Sequence, residues 1–500
     1  MPFKLFFLTV ICFTFTRSPW VEAALTINDA IAEALKNNFE IRMERLNPEI
    51  AKDNLYAEEA EFYPFAYAQL NHNDIERFQN SIDFSSRDGI RRWEQEDWRA
   101  KTGVGGKLPT GTAYEVYYTV ASGENSLNRA APSMNALFSP EVETFAGVKL
   151  TQPLLKNSGW SVNTTGMRIA RIGIKVSGLE HELLITNKAQ EVCNAYYDLV
   201  YAQKAVGLSR QTLETAESFK VLAEERLNVG QGTSLDVSQA EMNIYNAKER
   251  MIVAQNNYER SLVTLLKVIQ GEHGSPWDAG MVLPETIPQI ELERDQEHYT
   301  QLAMQKRIDL RLATYQEDQS RLRLAYAENQ KMPELNLEFS YGLNGFGGTH
   351  QDSFDTLTKA GESEWMAGFS FRVPIGKDRN AAYERIAEHR RQQARLSVGM
   401  HEKNIRLEVR NAFSRIQIYQ QRLETARHFV ELSQEVFAVE QERYRNGRSS
   451  SYDVLDAQDK VSESLIRELA ARVDLAKSFE ELWLVSGVLL EQHAILVETH

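Results

Sequence analysis

The spacing of apolar residues changes period several times along the chain, and it does so in the same order twice. Between 380 and 445, Ile405, Val409, Ala412, Ile416, Tyr419, Leu423, Ala426 and Val430 alternate at steps of four and three, the seam of a coiled coil. A looser version, Ile185, Ala189, Val192, Tyr196, Leu199 and Val206, lies within 167–228. No proline interrupts either stretch, so each predicts one helix on the order of 90 to 100 Å long at about 1.5 Å per residue. Leu407, Phe413, Ile418 and Phe429 flank the second seam. A doubled apolar face of this kind can touch neighbours on both sides, as a ring of helices requires, although an ordinary antiparallel bundle fits the same periodicity.

Other segments alternate with period two. Leu335, Leu337, Phe339, Tyr341 and Leu343 oppose Asn336, Glu338 and Ser340, and Trp365, Ala367, Phe369, Phe371 and Val373 repeat the pattern before Pro374. One apolar and one polar face over about ten residues is how a membrane barrel strand reads, and also how a half-buried strand of a soluble sheet reads. The first half predicts an extra pair, roughly 98–108 and 112–120, joined by Pro109-Thr110-Gly111 and flanked by long polar connections. The chain then holds six strands, or four strands and a hairpin standing on the outer mouth, and the hairpin is the arrangement we expect.

The two halves are related residue by residue. Glu225-Arg226-Leu227-Asn228-Val229-Gly230-Gln231-Gly232-Thr233-Ser234-Leu235-Asp236-Val237 aligns without gaps on Glu442-Arg443-Tyr444-Arg445-Asn446-Gly447-Arg448-Ser449-Ser450-Ser451-Tyr452-Asp453-Val454. Each copy runs a charged helix into a Gly able to take φ > 0, and a Ser follows where the next helix needs an N-cap, so each is a tight turn between helices. Asn38 to Pro64 likewise aligns on Arg307 to Pro333, and Phe145 to Pro153 on Met366 to Pro374. The predicted division is a first repeat over 24–290, with a helix from about 28 to 62, strands over about 64–153, a long helix 167–228, a turn 229–234 and a helix 234–270. The second repeat, 291–500, has a helix 294–331, strands about 334–343 and 364–374, a long helix 380–445, a turn 446–451 and a helix 451–490.

Composition narrows the class. Residues 1–23 read as a cleaved export signal, with Lys4, an apolar run from Leu5 to Phe15, and Val21-Glu22-Ala23 at the cleavage site. Beyond it no run of about 18 uncharged apolar residues predicts a membrane-spanning helix. Strands too few to close a barrel, in an exported chain, mean that several copies complete it together, because an open edge in lipid leaves backbone groups unsatisfied. The net charge of −14 without basic tracts argues against nucleic acid. Cys193 reads as a small buried hydrophobe. The ten histidines are scattered, none at helical i, i+4 spacing, so no metal site and no cofactor are expected. Gly103-Val104-Gly105-Gly106 lacks the spacing of a nucleotide loop, and no acidic pair is placed for acid–base work, so the chain is not expected to be an enzyme.

Leu150-Thr151-Gln152-Pro153-Leu154-Leu155 and the two turns ending in Asp236-Val237 and Asp453-Val454-Leu455-Asp456-Ala457 resemble the TolC family of outer membrane efflux proteins over nearly the whole mature chain. The resemblance implies a mainly α fold with membrane β structure: an internally duplicated, homotrimeric channel whose shared β-barrel in the outer membrane continues into a long α-helical barrel across the periplasm. It implies an exit duct for efflux or secretion, type I secretion included, that docks through its tip on a periplasmic adaptor (a membrane fusion protein) bound to an inner-membrane pump. The adaptor-docking turns would present Gly230, Ser234, Gly447 and Ser451. Asp453 and Asp456 match the acidic pair of the family's pore constriction, and their spacing puts both carboxylates on one helix face. Asp453 also suits a plain helix start. Asp236 and Tyr444 match two members of the family's tip gate, while the gate's Arg is Ser449 here, with Arg448 one residue before it. A periplasmic coiled-coil adaptor or spacer is the alternative reading, with a hydrolase a distant third.

Overall fold

The computed structural model describes residues 25–130, 137–269, 287, 290–292, 294–376 and 378–495. The expected export signal over 1–23 and the connection after residue 269 therefore lie outside the described residues. In chain order the elements are α1 (Ile27–Asn37), α2 (Phe39–Glu44), α3 (Asn47–Ala60), β1 (Phe65–Phe78), α4 (Ser81–Ser86), β2 (Arg92–Lys107), β3 (Ala113–Asn125), α5 (Ser126–Ala130), β4 (Glu141–Pro153), α6 (Trp160–Asn163), α7 (Thr165–Asn228) and α8 (Ser234–Ile269). The second half continues with α9 (Gln296–Lys306), α10 (Ile308–Gln330), β5 (Glu334–Gly347), α11 (His350–Ala360), β6 (Glu362–Arg372), α12 (Arg379–Arg445), α13 (Ser451–Val485) and α14 (Leu489–Gln492). The described residues divide into two compact units, those within 25–43, 183–307 and 405–495, and those within 44–182 and 308–404.

The first unit is helical. The seams of α7 and α12 form its core: Ile185, Ala189, Val192, Tyr196 and Leu199 are buried, as are Ile405, Val409, Ala412, Ile416, Leu423 and Val430. Around α7, Leu25, Ile31, Leu265, Ile269 and Leu489 complete an apolar cluster. Burying a side chain such as Leu199 is worth about 1.5–3 kcal/mol, and the alanines among the larger residues let the helices approach closely. Leu407, Ile418 and Phe429, flanking the α12 seam, stay exposed.

Each helix predicted ahead of the strands is interrupted. Asn38 and Arg307, equivalent in the duplication, both take extended backbone, with ψ of 126° and 123°. Each closes the preceding helix by donating its N–H, to Ala34 O and Ala303 O. The Asn38 side chain then accepts from the amides of Glu40 and Ile41, at 2.9 and 3.3 Å, and starts the next helix as a cap. Pro48, which has no N–H to donate, sits in the first turn of α3, where that loss is harmless. α13 stops at Val485, short of the predicted 490, because Gly487 takes φ of +73°.

The second unit carries one sheet of strand order β1-β2-β3-β4-β5-β6, antiparallel throughout. The expected hairpin outside the sheet is thereby corrected, since β2 and β3 pair along their length with β1 and β4. The reason lies in the register. Ala66, Val104, Val116, Val148, Tyr341 and Trp365 form one apolar row across all six strands, so the hairpin shares the sheet's apolar face. Gln69, Lys101, Thr119, Phe145, Asn344 and Glu362 form a more polar row on the opposite face. The tight turn is held from below as well. Gly159 N–H donates to Thr110 O at 3.1 Å, and Gly111, at φ +93°, leaves no room for a Cβ, which would stand 2.4 Å from Asn157 O. At the far end of the apolar face α11 packs over β4 and β5, with Ser353 bonded to Thr144.

Candidate functional site

The two turns adopt the same hydrogen-bonding pattern. Gly230, at φ +75°, donates to Leu227 O and Gln231 donates to Arg226 O; Gly447, at φ +73°, donates to Tyr444 O and Arg448 to Arg443 O. These are Schellman closures, which need a residue in the left-handed region that only Gly enters without a Cβ penalty. The caps of the following helices are Thr233 and Ser450, one position before Ser234 and Ser451. Asp236 N–H donates to Thr233 Oγ1 at 3.3 Å and Asp453 N–H to Ser450 Oγ at 3.2 Å, and each aspartate accepts in return.

Displacement of the cap by one residue frees Ser451 to turn inward. It is 2% exposed, and its hydroxyl lies 2.5 Å from Asp236 Oδ1 and 2.6 Å from Gln239 Oε1. Burial works to raise the Asp236 carboxyl, but the bonds from Ser451 and Thr233 and the charge of Arg226 outweigh it and hold it below the usual aspartate range. Asp236 is therefore an anion that fastens the second turn to the first.

Tyr444 is the centre of the contact between the turns. At 2% exposed it packs with Phe219, Ala223, Ala240 and Val454. Burial pushes its phenol up, as does the Asp236 charge, with Arg226 opposing. The guanidinium of Arg226 lies 4.2 Å from the ring centroid, donates to the Tyr444 carbonyl and donates to Gln231 O at 2.8 Å. The Tyr444 hydroxyl, by contrast, has no hydrogen-bond partner among the described residues.

The other candidates are placed elsewhere. Arg448 is exposed, and its carbonyl accepts from Arg443. Ser449 donates to Glu440 Oε2 at 2.5 Å. The structure thus brings Asp236, Tyr444 and Ser451 together, joined by Arg226, and leaves Arg448 and Ser449 outside the contact. Arg226 was the residue sequence reasoning missed; its only signal was its place one turn before Gly230, shared with Arg443, which instead pairs with Glu440 at 2.7 Å.

Asp453 stands exposed at the first turn of α13. The side chain and backbone bonds from Ser450 hold its carboxyl below the usual range. Asp456 pairs with Lys460 at 2.5 Å, so part of its charge is met within its own helix. Gly230, Ser234 and Gly447 are exposed. In the second unit, the polar sheet face carries a groove of about 450 Å³ lined by Asn71, Asn73, Gln95, Asp97, Arg99 and Glu143 among others. No helix of the described residues is long and apolar enough to cross a membrane.

Residues 122–271 and 299–488 match the family model of the outer membrane efflux protein. The chain is 26% identical over 307 residues, 58% of its length, to a probable efflux pump outer membrane protein, TtgC, of Pseudomonas putida; the match spans 60% of that protein. It is 20% identical over 368 residues to the outer membrane protein TolC of Vibrio cholerae, covering 69% of this chain and 77% of that one. Among solved structures, the outer membrane protein VceC of Vibrio cholerae superposes with a TM-score of 0.65 at 15% identity, over 92% of this chain and 96% of that one. The fold is thus TolC-like.

Proposed function

Because the chain belongs to the outer membrane efflux protein family, we propose that it is the outer-membrane channel of a multi-component efflux or secretion system, a passive duct whose barrel is shared among three copies. One observation carries this reading. The six-stranded sheet exposes an apolar face, with Val116 at 52% and Trp365 at 68% exposure, and ends in two unpaired edges, β1 and β6. Such a face in water is an aggregation hazard, and such edges in lipid cost several kcal/mol per unsatisfied group.

Both are resolved if β6 of one copy pairs with β1 of the next. In a six-stranded meander the first and last strands run in opposite directions, so that joint continues the antiparallel order without a break. Three copies close a barrel of about eighteen strands, a size that leaves an aqueous lumen. The polar face then lines the duct and the apolar face meets lipid. The exposed apolar residues of α12, such as Ile418 and Leu432, and of α8, such as Met242 and Ile252, supply the contacts by which helices of neighbouring copies form a second, helical wall across the periplasm.

The turns at Gly230 and Gly447, with Ser234 beside them, form the exposed tip that meets a periplasmic adaptor and, through it, an inner-membrane pump. Ser451 is withdrawn from that surface by its bond to Asp236. Asp453 and Asp456, repeated around the threefold axis, make the constriction cation-favouring. A coiled-coil adaptor has no use for an exposed apolar sheet face.

The test is extraction and reconstitution. The protein should require detergent, run as a trimer and form discrete conducting units in planar bilayers. Material that remains a soluble monomer in plain buffer, with no conductance, overturns the proposal.

A further inference from the structure

Three side chains that a duct has no need of meet inside the first unit. Cys193 comes from α7, Glu480 from α13, and His493 from just after α14; they are 0%, 1% and 7% exposed. His493 Nε2 lies 2.8 Å from Glu480 Oε2 and 3.8 Å from Cys193 Sγ, and the three donor atoms fall within 4.8 Å of one another. Two further residues hold them. His493 Nδ1 is 2.7 Å from Asn28 Oδ1, and the Tyr197 hydroxyl donates to Glu480 Oε1 at 3.3 Å.

The arrangement poses a chemical problem. An amide oxygen on Nδ1 keeps the ring proton there, which leaves the lone pair of Nε2 facing a carboxylate oxygen. Something positive must lie between two acceptors 2.8 Å apart. Two protons can meet this, one shared by the nitrogen and the oxygen and one on the Cys193 thiol, which burial, the Glu480 charge and its bond to Glu480 hold in place. A metal ion would serve all three.

We propose that Cys193, Glu480 and His493 form a structural site for a divalent ion of the zinc class, with Asn28 and Tyr197 orienting the ligands. The donor set of thiolate, imidazole and carboxylate is that of a borderline-soft ion. Bonds of the lengths usual for zinc put tetrahedral donors roughly 3.4–3.6 Å apart; the two distances at Nε2 bracket that range, so small side-chain shifts suffice. Asn28 on the distal nitrogen is the outer partner that a metal-bound histidine needs to fix its tautomer.

The proton balance is simple. One M²⁺ enters, and two protons leave: that of the thiol and that shared by His493 and Glu480. Thiol with imidazolium and carboxylate is neutral, and so is M²⁺ with thiolate, carboxylate and neutral imidazole. The exchange therefore buries no net charge. Its consequence is to pin α1, α7, α13 and the segment after α14 to one point. None of this depends on the channel reading.

The full chain, expressed in cobalt- or zinc-supplemented medium and purified in detergent without chelator, should carry about one metal ion per chain. The cobalt form should show thiolate-to-metal charge transfer, which identifies Cys193, since the only other cysteine, Cys12, lies in the export signal. Cys193→Ser and His493→Gln should each lower the metal content at least tenfold. Less than about 0.1 ion per wild-type chain, or metal uptake with no thiolate band, overturns the site whatever the variants do. So does a Cys193→Ser protein that retains the full complement.

Discussion

Arg226 lies over the ring of Tyr444, its Cζ 4.2 Å from the centroid, and donates to the carbonyl of the same residue. One side chain of the first turn thus holds both the face and the backbone of a residue that begins the second. The neighbouring bond, Ser451 to Asp236, runs the other way, from the second turn to the first. Two reciprocal fastenings within one chain make the paired turns a clasp.

Removing the Arg226 guanidinium should loosen that clasp. Arg226→Ala loses a cation–π contact and a charge-assisted bond, about 1–2 kcal/mol, which speeds exchange of the Gly447 and Arg448 amides roughly 5- to 30-fold. Tyr444→Phe should cost nothing or stabilise slightly, because the hydroxyl has no partner to lose. Hydrogen exchange by mass spectrometry checks both, and the reverse order of effects would show that the phenol, not the guanidinium, carries the contact.

The Asp236 bond predicts an acid limit. Its folded carboxyl titrates below the unfolded value of about 3.9, so its stabilisation is present above that value and lost as pH falls through the lower, folded one. Acidification from pH 7 to about 5 should leave tip protection unchanged. Wild type and Asp236→Asn should differ there and converge only once the pH has fallen below the folded value, itself under about 3.9; a transition centred near pH 6 would implicate another group.

The six-strand sheet is testable at its hairpin. Val116→Arg places a charge in the middle of the apolar row, which at a bilayer midplane costs about 2–4 kcal/mol. Assembly into outer membranes, followed by heat-modifiable trimer on gels, should fall sharply, whereas Thr119→Arg on the polar face should assemble. Equal assembly of both would place β2 and β3 outside lipid.

Ion selectivity separates Asp453 from Asp456, the two candidate constriction residues of α13. Asp453→Asn should lower the cation preference of single channels more than Asp456→Asn does, because the Asp456 carboxylate already faces Lys460. Reversal potentials in a salt gradient read the ratio. Unchanged selectivity in both variants would remove them from the pore wall.

Much of this architecture is written in local terms. The period of Ile405 to Val430 is a property of one helix, and it names the buried seam because any partner must cover that stripe. The glycines at 230 and 447 end their helices by conformation alone. What local pattern could not show were choices between competing partners. Thr233 and Ser234, or Ser450 and Ser451, are chemically equivalent caps, and the serine that does not cap at 451 is the one that crosses to Asp236.

By itself, then, the chain's alternation and duplication determined two long helices, two glycine-closed turns and strands with one apolar face, because each depends on neighbours within a few residues. The tertiary structure alone decided that β2 and β3 enter the sheet, that Arg226 rather than Arg448 engages Tyr444, and that Cys193, Glu480 and His493 share one buried point. Those contacts join residues up to 300 positions apart. Packing and hydrogen-bond satisfaction across such separations depend on where the backbone returns, and no local periodicity carries that information.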